Sequence, residues 1–213
     1  MPIAASGPGA LPLAFHQREV VDVARDLLGR VLVARVDGTT LRLRIFETEA
    51  YHQDERGCHA FGGRRTPRTR PMFELGGRTY VYFVYGMHWQ FNVVTGQRGS
   101  AQAALVRCGL PLGDASALEL VRLRRGFDRP GRRIPRSVAD DPMRWCDGPA
   151  KVCQALGLCG AHGDLPLETA SGVWVEAGSP VQDARVARLP RVGIAYAGAD
   201  AGLPWRFRAD LRS

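Results

Sequence analysis

Leu41-Arg42-Leu43-Arg44-Ile45-Phe46-Glu47-Thr48-Glu49-Ala50-Tyr51 is the stretch on which the fold of this chain turns. Apolar and basic residues alternate up to Ile45, the period of a half-buried β-strand, and the run then enters two carboxylates and an aromatic. Leu41, Leu43, Ile45, Glu47 and Glu49 share one parity, so a regular strand places them all on one face, and the core-facing side ends in acid. Taking a carboxylate out of water costs several kcal/mol, roughly, unless it is paired or hydrogen-bonded. Glu47 and Glu49 therefore need a use. Two readings stay open: a glutamate salt-bridged to Arg42 or Arg44, or a carboxylate at a pocket rim that activates water.

Upstream, Arg30 to Arg35 and Thr40 to Phe46 flank Val36-Asp37-Gly38-Thr39, a hairpin with Asp-Gly turn chemistry. Glu19 to Leu28 sets Val20, Val23, Ala24, Leu27 and Leu28 on a helical face, and Gly29 stops it. Met1 to Leu13, rich in Ala, Gly and Pro, is expected to be a flexible tail, leaving 14–213 as one domain. Downstream, Tyr80 to Tyr85 and Trp89 to Val94 read as two strands joined through Gly86-Met87-His88, with Tyr85 and Met87 near the tip. Large apolar groups on a turn are unusual: they pack beneath a neighbouring loop, or they are there to contact something else.

Ala103 to Cys108 reads as a buried strand carrying Arg107. Asp114 can cap a helix running to about Arg125. Gly148-Pro149-Ala150-Lys151 opens a helix that Gly157 ends, and free amides at that end, with Lys151, attract anions. Val173–Glu176, Arg185–Leu189, Arg191–Ala195 and Trp205–Arg208 are further strand candidates. No repeat or internal break is present, so the pattern is that of a single domain mixing helices and strands.

The formal net charge of +8 and a pI of about 9.8 favour a polyanionic partner, with nucleic acid ahead of an anionic membrane. No run of eighteen apolar residues, about the length that spans a bilayer, occurs, and Met1 to Leu13 lacks the charged start of a signal peptide, so a cytoplasmic protein is expected. Of the 29 Lys and Arg residues one is lysine, Lys151. Arg64, Arg65, Arg68 and Arg70 sit among Gly, Thr and Pro in a loop suited to phosphates, and Gly126 to Arg136 forms a second basic segment, expected to be mobile. The five cysteines form no Cys-x-x-Cys pair and are expected to be free and mostly buried. His52, Cys58 and His59 cluster without a fourth ligand at recognisable spacing, and a metal-free site is expected.

Taken in order, Glu47-Thr48-Glu49-Ala50-Tyr51, the Gly63-Arg64-Arg65-Thr66-Pro67-Arg68 loop, Tyr80-Val81-Tyr82-Phe83-Val84-Tyr85-Gly86-Met87, Asn92, Arg107 and Gly148-Pro149-Ala150-Lys151 resemble the alkyladenine (3-methyladenine) DNA glycosylase family. The match runs from about Ala24 to Phe207. The resemblance implies an α/β fold of the α+β type, a single domain with a curved antiparallel sheet, surrounding helices and a protruding hairpin. It implies a monofunctional hydrolase, without metal or other cofactor, that excises alkylated or deaminated purines from double-stranded DNA as a monomer. By that resemblance Glu49 activates water, helped by Arg107 and the carbonyl of Val192. Tyr51, His59 and Tyr82 line the pocket for a flipped base, Tyr85 fills the vacated stack with Met87 beside it, and Asn92 screens out guanine. Arg64, Arg68 and Lys151 are left for the phosphates.

Physical chemistry agrees with these roles. A base cannot be cut inside the stack, so it must be extruded and its gap filled, at a cost of about a few kcal/mol. An N-alkylated purine is cationic and leaves readily, which an electron-rich aromatic pocket favours. One carboxylate can both stabilise the oxocarbenium sugar and take a proton from water. Rival readings are a glycosylase and lyase attacking through the amine of Lys151 or Pro2, a non-catalytic basic DNA-binding protein, and a magnesium nuclease using Glu47 and Glu49.

Overall fold

In the computed structural model, which describes residues 9–211, the deciding stretch is the centre of a single long strand. Two short helices, α1 (Leu13–His16) and α2 (Val20–Asp26), precede strands β1 (Val31–Val36) and β2 (Thr39–His52). Asp37 and Gly38 both adopt positive φ, and Val36 pairs with Thr39, so the β1–β2 turn has the two-residue geometry that Asp-Gly favours. Then come β3 (Arg78–Val84), β4 (His88–Val94), β5 (Gln102–Leu112), α3 (Ala115–Arg124), α4 (Arg136–Ala139), α5 (Pro149–Leu156), β6 (Val173–Glu176), β7 (Val186–Leu189) and β8 (Arg206–Ala209).

The strands form one curled antiparallel sheet in the order β3-β4-β5-β2-β1-β6, with β7 and β8 attached beside β2. β1 follows β2 only as far as Arg44; from Glu47 to Glu49 its place is taken by β8. The main core lies between the sheet and the helices: α2 packs on β2 and β5, and α5 on β4 and β5. Asp114 caps α3 by accepting from the Ala117 N–H at 2.9 Å, and Gly157 closes α5 in the left-handed conformation.

The single-parity expectation for β2 fails at one point. Ile45 pairs with Gly109 and Thr48 with Val106, but between them Glu47 sits opposite Cys108, a local bulge. The core side is therefore Leu41, Leu43 and Ile45 before the irregularity, and Thr48 and Ala50 after it. Thr48 donates its hydroxyl to the Ala24 carbonyl of α2 at 2.6 Å. Glu47, Glu49 and Tyr51 consequently fall on the opposite face, away from the apolar core.

Two other expectations are revised. Arg191 to Ala195 forms no strand: Gly193 has positive φ, and the Val192 amide is spent on a side chain instead of a ladder. Ala10 bridges to Glu176 and the buried Leu11 donates to the Val175 carbonyl at 2.7 Å, so the described part of the expected tail is packed, while 1–8 lie outside the described residues. In the Gly126 to Arg136 segment the Phe127 ring meets Trp145 at 5.6 Å and Arg132 donates to the Arg125 carbonyl at 2.7 Å, while residues 128–133 are exposed. The five cysteines are free, four of them buried.

Candidate active site

The bulge turns Glu49 toward a cavity of about 340 Å³ enclosed by β2, the β3–β4 hairpin, β5 and the loop following Arg191. Its size falls within the roughly 300–1,000 Å³ usual for small-molecule sites. Glu49 is 0% exposed, and three donors from three chain segments hold it. Tyr51 donates its hydroxyl to Oε2 at 2.7 Å, Arg107 donates Nη1 to Oε2 at 3.2 Å, and the Val192 N–H donates to Oε1 at 2.8 Å. Val192 is thus in contact through its amide. Burial disfavours the Arg107 cation, but Glu49 and Glu47 outweigh it and hold the guanidinium's pKa above its ordinary value.

Both glutamates are salt-bridged to Arg107 rather than to Arg42 or Arg44, and Glu47 is the more heavily paired. Its oxygens take Arg107 Nε at 3.1 Å, Arg206 Nη1 at 3.4 Å and Arg208 Nε at 3.7 Å. Arg42 pairs with Glu176 instead. Behind Glu47 lies a hollow of about 900 Å³ whose lining holds Arg144, Asp147, Arg208 and Asp210, with Phe46 as its one aromatic residue. Only the smaller, aromatic-walled cavity contains Glu49.

Tyr51, His59, Tyr80 and Tyr82 supply those walls. His59 shares a hydrogen bond with the Tyr80 hydroxyl at 2.9 Å and meets the Tyr82 ring edge-on at 4.6 Å. Burial, then the Arg68 cation, lower its pKa from 6.5 to about 4, so the imidazole is neutral near pH 7. Tyr82 donates to Gln90 Oε1 at 2.6 Å, and Asn92 is fixed by donating Nδ2 to the Tyr80 carbonyl at 3.0 Å. Burial pushes the Tyr80 hydroxyl up to about 12 and those of Tyr51 and Tyr82 further, so all three remain donors at neutral pH. At the mouth stands Tyr85, 78% exposed with φ +54°, followed by Met87, 66% exposed. A tyrosine in the left-handed region costs on the order of 1–3 kcal/mol, so the turn accepts strain to present this ring to solvent.

The family model for methylpurine-DNA glycosylase matches residues 14–212. The chain belongs to the methylpurine-DNA glycosylase family. It is accordingly a DNA-repair hydrolase that acts on N-glycosyl bonds, and its substrate is DNA. Relatives provisionally named 3-methyladenine DNA glycosylases include one from Herpetosiphon aurantiacus, 40% identical over 92% of this chain and 83% of its own length. One from Myxococcus xanthus is also 40% identical, over 92% and 88%, and one from Clostridium botulinum is 34% identical over 91% and 92%.

Within this glycosylase the basic candidates separate. Arg68 is exposed, but its guanidinium lies 4.8 Å over the Tyr82 ring and Nη2 is 3.4 Å from His59 Nε2, at the cavity wall. Arg64 is exposed on the adjoining loop. Lys151 pairs with Asp147, four residues earlier, and Pro149 rather than Lys151 borders the cavity. Sequence reasoning missed Tyr80, Gln90 and Tyr196 as lining residues, and missed the buried Arg191–Glu55 pair altogether. Alternation along β3 was the available signal for Tyr80, which shares parity with Tyr82. No helix among the described residues is long and apolar enough to cross a membrane.

Proposed function

We propose that the enzyme extrudes a damaged purine from duplex DNA into the aromatic cavity and hydrolyses its N-glycosidic bond with a water activated by Glu49. The observation that carries this reading is Glu49 itself: a fully buried carboxylate, gripped by three donors, opening on a cavity walled by tyrosines. In the reaction the C1′–N bond breaks with its electron pair leaving on the base, water oxygen bonds C1′, and its proton passes to Glu49. Negative charge on Glu49 also stabilises the cationic sugar. Arg107 holds the carboxylate on target, and the Val192 carbonyl, on the residue whose amide already binds Glu49, orients the water.

Selection follows from charge and shape. An alkylated purine such as 3-methyladenine is cationic and stacks between Tyr51, His59 and Tyr82; the neutral His59 raises no opposing charge. Asn92, fixed against the Tyr80 carbonyl, cannot swing aside for the amino group of guanine. Tyr85 occupies the vacated stack, with Met87 beside it, while Arg64, Arg68 and Lys151 meet phosphates. The enzyme is proposed to work as a monomer on chromosomal DNA in the cytoplasm. Its test is chromatography of bases released from methylated and deaminated duplexes in the presence of EDTA. Free damaged purine is expected, with the sugar–phosphate strand left intact; binding without release would reduce the protein to a lesion binder.

A further inference from the structure

Arg191 and Glu55 form a forked ion pair with almost no access to solvent. Nη1 reaches Glu55 Oε1 at 2.6 Å and Nη2 reaches Oε2 at 2.8 Å. The Arg191 side chain is 0% exposed and that of Glu55 4%. Stability alone explains such a pair poorly, because neutral side chains of similar volume often serve a fold as well or better. Its hydrogen bonds suggest another reason for it.

Nη1 also donates to the Ala50 carbonyl at 2.9 Å, and Ala50 lies between Glu49 and Tyr51 in β2. The Arg191 guanidinium carbon sits 4.9 Å from the Tyr51 ring centre, and the Tyr51 hydroxyl binds Glu49. Arg191 is also the residue before Val192, whose amide binds the other Glu49 oxygen. Two of the three donors to Glu49 thus depend on one buried guanidinium. Glu55 in turn accepts from the Gly57 N–H at 2.7 Å, and a Cβ at Gly57 would meet Glu55 Oε2 at 2.9 Å, so this loop is drawn tightly onto the pair on its way to His59.

We infer that the buried Arg191–Glu55 pair is a positioning device that sets the Glu49 carboxylate, through Tyr51 and the Val192 amide, at its angle to the reacting carbon. The inference rests on the reading of Glu49 as the water-activating base. Neither residue touches DNA or water in this role, and the pair works through the donors it holds. A displacement of roughly 1 Å at such a site can cost about a hundredfold in rate without loss of binding.

The test is single-turnover excision at saturating enzyme, with lesion affinity and melting temperature measured on the same proteins. Arg191→Met combined with Glu55→Gln removes both charges and keeps most of the volume. The expected result is a chemical rate down by about 10- to 100-fold with lesion affinity close to that of the parent, measured well below a melting temperature that falls because the Ala50 and Asp200 carbonyls lose their donor. Added to Tyr51→Phe, the double change should cost less than its separate effect, since one donor through which it acts is already gone. A parental chemical rate, a loss confined to affinity, or fully additive losses overturn the inference. Should the double variant not fold, Arg191→Lys keeps the charge without the fork, and a parental rate in that variant overturns it equally. Glu49→Gln measured alongside separates the two readings: if it stays active the base assignment fails, whereas an inactive Glu49→Gln beside a parental Arg191→Met/Glu55→Gln removes the positioning role alone.

Discussion

The hydroxyl of Tyr51 meets the carboxylate of Glu49 at 2.7 Å from two positions further along the same strand. Same-face neighbours in a strand are two residues apart, so the contact is built into β2 once the bulge has turned that face toward the cavity. Burial, and then the charge of Glu49, hold the Tyr51 pKa well above the usual phenol range, so the group stays a donor throughout the working pH. Tyr51→Phe keeps the ring and removes this donor. The expected outcome is a single-turnover rate lower by about 10- to 100-fold with lesion affinity retained, in line with a net cost of about 1.5–3 kcal/mol for a hydrogen bond to a charged group. A large loss of affinity instead would make Tyr51 a stacking residue only.

Glu47 and Glu49 are separated by one residue and differ in surroundings. Glu49 opens on the cavity, whereas Glu47 is enclosed by Arg107, Arg206 and Arg208. Glu49→Gln is expected to lower excision by a factor on the order of hundreds to thousands while lesion binding survives. Glu47→Gln should instead lower the melting temperature, by leaving three guanidiniums facing a neutral amide, and reduce excision only through the shift of Arg107. The reverse pattern in single-turnover assays would move the base to Glu47.

Two histidines make stability depend on acid. Burial and the nearby Arg18 lower the pKa of His16 from 6.5 to about 4, and burial and Arg68 do the same to His59. Both folded-state values lie below the unfolded value, so the unfolded chain binds more protons between about 4 and 6.5. The contribution is constant above 6.5 and is lost as pH falls through that window. Melting temperatures from pH 7 to pH 4 should decline, and His16→Leu should flatten the decline; an unchanged slope would remove His16 from the account.

Tyr85 stands on the β3–β4 turn with φ +54°, a conformation that glycine adopts without strain. Tyr85→Gly therefore removes the ring and keeps the turn. If the ring holds the extruded state, lesion-specific affinity falls by an order of magnitude or more, while binding to undamaged duplex changes by less than about 3-fold. Equal losses on both duplexes would make Tyr85 a general contact.

Much of this was legible in the sequence because local chemistry dictated it. The Asp37-Gly38 turn, the Asp114 cap, the Gly157 stop and the apolar runs of β3 to β5 all follow from residues adjacent in the chain. The face of Glu49 was not legible. The alternation through Ile45 is regular, and the bulge is a property of how β2 meets β5 and exchanges β1 for β8, which no single strand records. The Arg191 to Ala195 stretch misled for a related reason: its apolar content resembles a strand, but the backbone is committed to Glu49 and the Arg191 side chain to Glu55, 136 residues away in sequence. The resemblance named Glu49, Tyr51 and Arg107, which converge here, without indicating that the buried Arg191–Glu55 pair lies beneath them.

Lys151 is the remaining test of mechanism, because it is the one lysine in the chain and a lyase needs an amine. Its ammonium group is paired with Asp147 at the start of α5, and it does not border the cavity that holds Glu49. Attack on C1′ from there would require the pair to break and the amine to enter a site walled by tyrosines. Borohydride added during turnover should therefore trap no covalent protein–DNA adduct. Lys151→Ala should weaken binding to damaged and undamaged duplex alike, by removing a phosphate contact, and lower the salt slope of binding by about one unit. The chemical rate at saturating enzyme should stay near the parental value. The other candidate amine, Pro2, lies outside the described residues, so the trapping experiment includes a Pro2 variant. An adduct that disappears on changing Lys151 or Pro2, or a chemical rate that collapses in Lys151→Ala while affinity holds, would replace the water of Glu49 with an amine nucleophile.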